Sequence, residues 1–197
     1  LDLIGQTQMW LGLAGEVEGK GRSSDDLAYL RDAAGFRNLL LVERPNGDFG
    51  QTLMRQFLFD VWHHEMLSRL TRSSDARVAE IAGKAIKEVA YHLERSADLV
   101  VRLGDGTAES HRRMQEALDD CWPYTGEMFV ADDHDRAVAA AGIAPDPSDL
   151  KEAWEATVEW ELYELWEYID AEMAGLFGFE PVPPEWIEFY DHPERPH

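Results

Sequence analysis

From residue 77 to 105, apolar positions recur at steps of three, four and seven. Ile81, Ala85, Leu99 and Leu103 fall on one line of a helix, and Glu88 and His92 fall on the same line. Two ionisable groups therefore interrupt an apolar face. Burying an unpaired polar group costs roughly 2–7 kcal/mol, and a charge costs more, so the pattern predicts partners for both. The preceding helical pattern, residues 49–71, presents a broad apolar surface made by Leu53, Met54, Phe57, Leu58 and Val61, as a helix central to a bundle would. Asp60 and His64 lie on its Leu53, Phe57, Leu67 line. The short connection at residues 73–75 makes the two helices antiparallel neighbours. Asp60 is about 13 residues before it and Glu88 about 14 after it, roughly 20 Å along each axis, so the two carboxylates are expected to stand level.

The rest of the chain reads as helices between turn signals. Leu1, Leu3 and Ile4 open an apolar pattern without a cap, so the chain is expected to begin inside a helix whose upstream partner lies outside it, and to continue that helix to about Gly15. Ser23 and Ser24 predict an N-cap for a helix over residues 25–34, stopped by Gly35, with FRNLLLV as a short apolar turn after it. Pro45, Asn46 and Gly47 then break the chain. Gly104 and Gly106 end the 77–105 helix, Thr107 caps another to about Asp120, and Pro123 turns the chain. A short helix over 132–141 closes at Gly142. Ser148 is the expected cap of a helix to about Met173, whose buried stripe is Leu150, Trp154, Val158, Leu162, Leu165, Ile169 and Met173, flanked by Glu161, Glu164 and Glu167. No strand pattern appears. The fold class is all-α, a helical bundle over residues 1–177. Residues 178–197 read as an extended, acidic, Pro-rich C-terminal arm whose Trp186, Phe189 and Tyr190 should pack against the bundle or a partner.

Composition narrows the partners. The 197 residues carry 39 Asp and Glu against 18 Lys and Arg, a formal charge of -21, and no basic run. Nucleic acid and anionic membrane surfaces are excluded as partners by repulsion. Fifteen of the acids fall in residues 145–197, against Lys151 and Arg195 alone. No apolar run approaches the roughly 20 residues of a membrane span, and no secretory signal opens the chain. Cys121 is the single cysteine, which fits a reducing cytoplasm.

Carboxylates and imidazoles that project inward from a helical bundle hold metal in di-iron proteins, where Glu-x-x-His recurs on two helices. Three residues before His63, His64, His92, His111 and His134 stand Asp60, Val61, Val89, Ala108 and Ala131, so that motif is missing before each. Glu88-Val-Ala-Tyr91 has a tyrosine where the imidazole belongs. Two readings stay open at this level. Asp60, Glu88, His64 and His92 form a hydrogen-bonded network with nearby Arg or Lys, or they hold one metal ion as the site of an autonomous metalloenzyme. A ferritin-like binding or storage protein is a third reading. No phosphate loop, nucleophile elbow or paired cysteine motif is present.

Long runs carry a resemblance. LDLIGQ at the start, DDLAYLRD, FRNLLLVERPNGDFGQTLMRQFLFDVW over 36–62 and KEVAYHLERSADLVVRLGDGTAESHRRMQEALDDCWPYTGEMF over 87–129 resemble the phenylacetic acid catabolic protein family, specifically the structural subunits of bacterial phenylacetyl-CoA epoxidases. The resemblance covers about three quarters of the chain, to near Pro147. It implies a ferritin-like helical bundle that lacks its own di-iron site and pairs with a homologous catalytic subunit. That partner carries the irons, binds the CoA ester and epoxidises the aromatic ring.

Carried over residue by residue, Asp2, Asp60 and Glu88 stand where active relatives place metal-ligating carboxylates, and Gly5 and Tyr91 stand where those relatives have His. The resemblance thus implies no catalytic or cofactor-binding residue in this chain and no resident metal, with Asp2, Asp60, His64, Glu88 and His92 as the vestigial candidates. It implies other members of the complex and a reductase as further partners, in a hetero-oligomer, with a homodimer left open for the chain alone. After Asp149 the sequence departs from the family, whose last helix contains histidines where ELYELWEYIDAEM has none.

Overall fold

A computed structural model describes residues 1–166, with side chains to residue 162. Among these residues the chain forms seven α-helices: α1 Asp2–Glu18, α2 Ser24–Tyr29, α3 Phe49–Leu70, α4 Ala76–Gly104, α5 Ala108–Cys121, α6 Asp133–Ala140 and α7 Lys151–Trp166. Short 3-10 turns fill most of the connections, and no strand occurs among the described residues. None of the described helices is long and apolar enough to cross a membrane. The proposed boundary at 177/178, the arm with Trp186, Phe189 and Tyr190, and the α7 stripe and acids beyond residue 162 lie outside this description.

Side-chain caps set most helix starts. Asp48 accepts the Gln51 amide at 3.0 Å, and the Gln51 side-chain carbonyl accepts the Asp48 N–H at 3.2 Å. Ser23 with Asp26, Thr107 with Ser110 and Asp132 with Asp135 make the same reciprocal pair at α2, α5 and α6. The cap ahead of α7 differs from the expected Ser148. Asp146 takes both the N–H and the hydroxyl of Ser148, and opens a 3-10 turn, Pro147–Leu150, that feeds the helix.

Two other helix ends differ from the sequence reading. α1 runs past Gly15 to Glu18 and stops at Gly19, whose φ of 68° is the left-handed conformation and whose N–H bonds back to the Gly15 carbonyl. Gly15 serves packing instead: a Cβ there would collide with the carbonyl oxygen of Arg22. α2 ends at Tyr29 instead of reaching Ala34, and only a 3-10 turn follows at Ala33–Gly35. Residues 29–38 are all exposed, so no buried face sustains a longer helix there.

α3 packs on α4, α5 and α7, while α1 packs on α2 and α4. The main core gathers Met54, Phe57, Leu58 and Val61 of α3 with Val100, Met114, Leu118 and the α7 stripe Trp154, Val158 and Leu162, over Leu150. Trp154 donates its indole N–H to the Leu58 carbonyl at 3.0 Å and packs against Trp122 and Phe129. A smaller cluster joins Leu67 to Ala82, Ala85 and Val89, with Trp10 of α1 against it. Between the two clusters, where α1, α3 and α4 meet, lies a seam of polar side chains.

Candidate functional site

The centre of the seam is Asp60, only 1% exposed. No cation answers it. The Ser96 hydroxyl donates to its Oδ2 at 2.9 Å, and the Gln56 amide donates to its Oδ1 at 2.6 Å. Burial drives the Asp60 carboxyl above the usual range, and those two hydrogen bonds together with the charge of His92 offset it only in part. The Arg or Lys expected here is replaced by a neutral hydroxyl and a neutral amide.

The register between α3 and α4 also departs from the expectation. Ser96, not Glu88, stands opposite Asp60, a displacement of about two turns or roughly 12 Å along α4. Leu67 packs with Ala82, Ala85 and Val89, so the first turns of α4 reach beyond the end of α3, and a tight hairpin misplaces the pairing. The buried line of α4 is accordingly Val78, Ala82, Ala85, Val89, Ser96, Ala97, Val100 and Gly104. Glu88, expected in the interior, is exposed. It accepts a hydrogen bond from the side-chain amide of Gln6 at 3.0 Å, and Gln6 is itself 3% exposed.

The histidines divide their roles. His92 Nε2 lies 3.2 Å from Asp2 Oδ2, tying α4 to the first turn of α1 rather than to Asp60. His64 makes no hydrogen bond or ion pair among the described residues. His63, passed over in the sequence, is the perturbed one. Burial first, then the nearby His92 and His64, hold it down to about 4, and the Phe59 ring lies 5.4 Å from its own. At neutral pH it is an uncharged imidazole.

The structure thus brings Asp60, His63 and His92 into one seam, adds Asp2 at its edge, and leaves Glu88 outside it. Sequence reading missed Gln56, Ser96, Gln6 and His63. Two of these carried a signal, since Gln56 precedes Asp60 by one turn and Ser96 follows His92 by one turn on the same face. Among the described residues, no three of His, Cys, Asp and Glu come together so that they could hold a metal ion. Both Asp60 oxygens are taken by donors, Glu88 faces Gln6, and Gly5 and Tyr91 offer no imidazole. As arranged, these groups do not fit a di-iron centre. They can instead hold three helices in register. A cleft of about 550 Å³ lined by Glu65, Arg69, Arg72 and Pro145 lies at the C-terminal end of α3 and includes none of the seam residues.

An all-α bundle with a carboxylate and imidazole seam, its carboxylate closed off by neutral donors, defines the class. Residues 1–167 match the family model described as phenylacetic acid catabolic protein, and the chain belongs to that family of ferritin-like helical bundles. It is 48% identical over 158 residues to a subunit of the 1,2-phenylacetyl-CoA epoxidase of Escherichia coli (strain K12), covering 80% of this chain and 63% of that protein. The chain therefore spans less than two thirds of that relative's length.

Proposed function

We propose that this chain is a non-catalytic structural subunit of a multicomponent di-iron phenylacetyl-CoA epoxidase in aerobic phenylacetate degradation. It pairs with and stabilises a homologous catalytic subunit that carries the irons, with other members and a reductase completing the complex in the cytoplasm. The observation that carries this reading is the closure of Asp60. A ligating carboxylate needs free oxygens, and both of these accept hydrogen bonds from Gln56 and Ser96. Gly5 and Tyr91, in place of imidazoles, point the same way. That the 48% identical relative is an epoxidase subunit supports membership of an assembly.

The competing reading, an autonomous metalloenzyme using Asp60, His64, Glu88 and His92, needs those four groups around one point. Glu88 is exposed and engaged with Gln6, and His92 engages Asp2. Metal analysis of purified protein after anaerobic loading with ferrous iron separates the two. The structural-subunit reading expects sub-stoichiometric iron that Asp60→Asn does not change, whereas stoichiometric iron lost in Asp60→Asn establishes the metalloenzyme.

A further inference from the structure

We infer that the surface strap over residues 29–42, together with Val130, is the face on which the homologous subunit docks; this rests on the function proposed above. The strap is anchored by Leu27 and Leu41, both buried, yet every residue from 29 to 38 is exposed. Ordering a backbone costs conformational entropy that burial normally offsets, and here the chain itself offers almost none. Large apolar side chains stand in solvent along the strap: Tyr29 at 82%, Leu30 at 80%, Phe36 at 45%, Leu40 at 48% and Val42 at 40% exposure. Leu40 donates its N–H to the Glu127 carboxylate at 2.7 Å, which fastens the strap beside Val130, itself 70% exposed. A contiguous exposed apolar surface of this kind marks a protein interface.

Charge specifies the occupant. In a chain of formal charge -21, residues 29–42 carry Arg31 and Arg37 against Asp32 alone. The Arg31 guanidinium lies 5.3 Å from the centre of the Phe36 ring, so positive charge is set directly over apolar surface. The matching face is apolar at its centre with carboxylates at its rim. A second copy of this chain fits less well. In a two-fold dimer the strap would meet itself and set Arg31 and Arg37 against their own counterparts.

The test is the affinity of the full chain for the purified catalytic subunit, measured by biolayer interferometry with wild type, a Leu30→Ser/Phe36→Ser variant, and Ile4→Ser on α1 as control. The strap variant should bind at least about tenfold more weakly while its melting matches wild type, and Ile4→Ser should bind normally. Hydrogen exchange on the unaltered proteins should show residues 29–38 protected only in the complex, which keeps the test decisive if the variant misfolds. Wild-type binding that the strap variant retains, or exchange unchanged in the complex, overturns this surface and leaves the proposed function standing. Absence of any wild-type binding overturns both. Strap changes that abolish self-association while sparing the hetero-complex assign the surface to a second copy instead.

Discussion

The Ser96 hydroxyl on α4 and the Asp60 carboxylate on α3 lie 2.9 Å apart, both buried, and this bond sets the register of the two longest helices. Because Ser96 and Gln56 are neutral, the seam holds a charge without a counter-charge in contact. The Asp60 carboxyl is raised by burial, so its contribution to folding is favourable below the ordinary carboxylate range and is lost as pH rises through the native value. At neutral pH the charge costs stability.

Asp60→Asn should therefore be no less stable than the parent at pH 7, and up to about 2 kcal/mol more stable. The asparagine oxygen can accept from Gln56 while its NH2 donates to Ser96, whose hydroxyl then turns to the Leu93 carbonyl, 3.2 Å away. Asp60→Ala abandons both donors and should cost about 1–3 kcal/mol. Urea unfolding at pH 7 and pH 3.5 checks both, with the advantage of Asn vanishing at the acid end. An Asn variant much weaker than the parent at pH 7 contradicts the account.

His63 gives a second, separable pH dependence. Its native value near 4 lies below the ordinary 6.5, so the unfolded chain takes up the proton first as pH falls. Stability from this group is complete above pH 6.5 and declines between 6.5 and 4, by on the order of 3 kcal/mol. His63→Phe should flatten that part of the stability profile, which chemical denaturation at half-unit steps of pH would resolve. An unchanged slope would place the titration elsewhere.

Two glycines in helices should respond in opposite directions. Nothing lies within 4 Å of a Cβ built on Gly83 in α4, so Gly83→Ala should stabilise by about 0.5–1 kcal/mol through backbone entropy. A Cβ on Gly15 meets the Arg22 carbonyl, and Gly15→Ala should destabilise by about 1–3 kcal/mol as α1 and α2 are forced apart. Differential scanning calorimetry of the two variants decides it.

Trp154 anchors α7 to α3. It is 1% exposed, donates to the Leu58 carbonyl and has ring centres 5.6 Å from Trp122 and 5.3 Å from Phe129. Trp154→Ala should cost about 3–5 kcal/mol, and Trp154→Phe clearly less, by thermal or urea unfolding. A Trp154→Ala protein that melts like the parent would show that α7 is held by other contacts.

Helical periodicity and caps made most of the architecture legible. α3 and α4 begin and end within a residue or so of their expected limits because Asp48, Asp75 and the glycines after α4 are local signals. Local signals could not show that Gly15 would be tolerated inside α1, since its reason is a tertiary approach to Arg22. They could not show that α2 would stop at Tyr29, since that depends on the missing cover over residues 29–38. The seam was half legible. Asp60 and His92 were placed correctly on inward lines, but Glu88 shares the line of Ala85 and His92 and still lies outside. The stagger between α3 and α4 that decides this follows from how Leu67 meets Ala82, Ala85 and Val89, and spacing along one helix carries no record of it.

The central claim, that this chain supplies surface and not chemistry, is tested most directly by turnover. The purified chain, given ferrous iron, a reductant and oxygen, is predicted to leave phenylacetyl-CoA unoxidised. Epoxide should form only when the catalytic subunit and reductase are added, and should continue when Asp60→Asn replaces the parent chain. Turnover by the isolated chain, abolished by Asp60→Asn, would contradict the account.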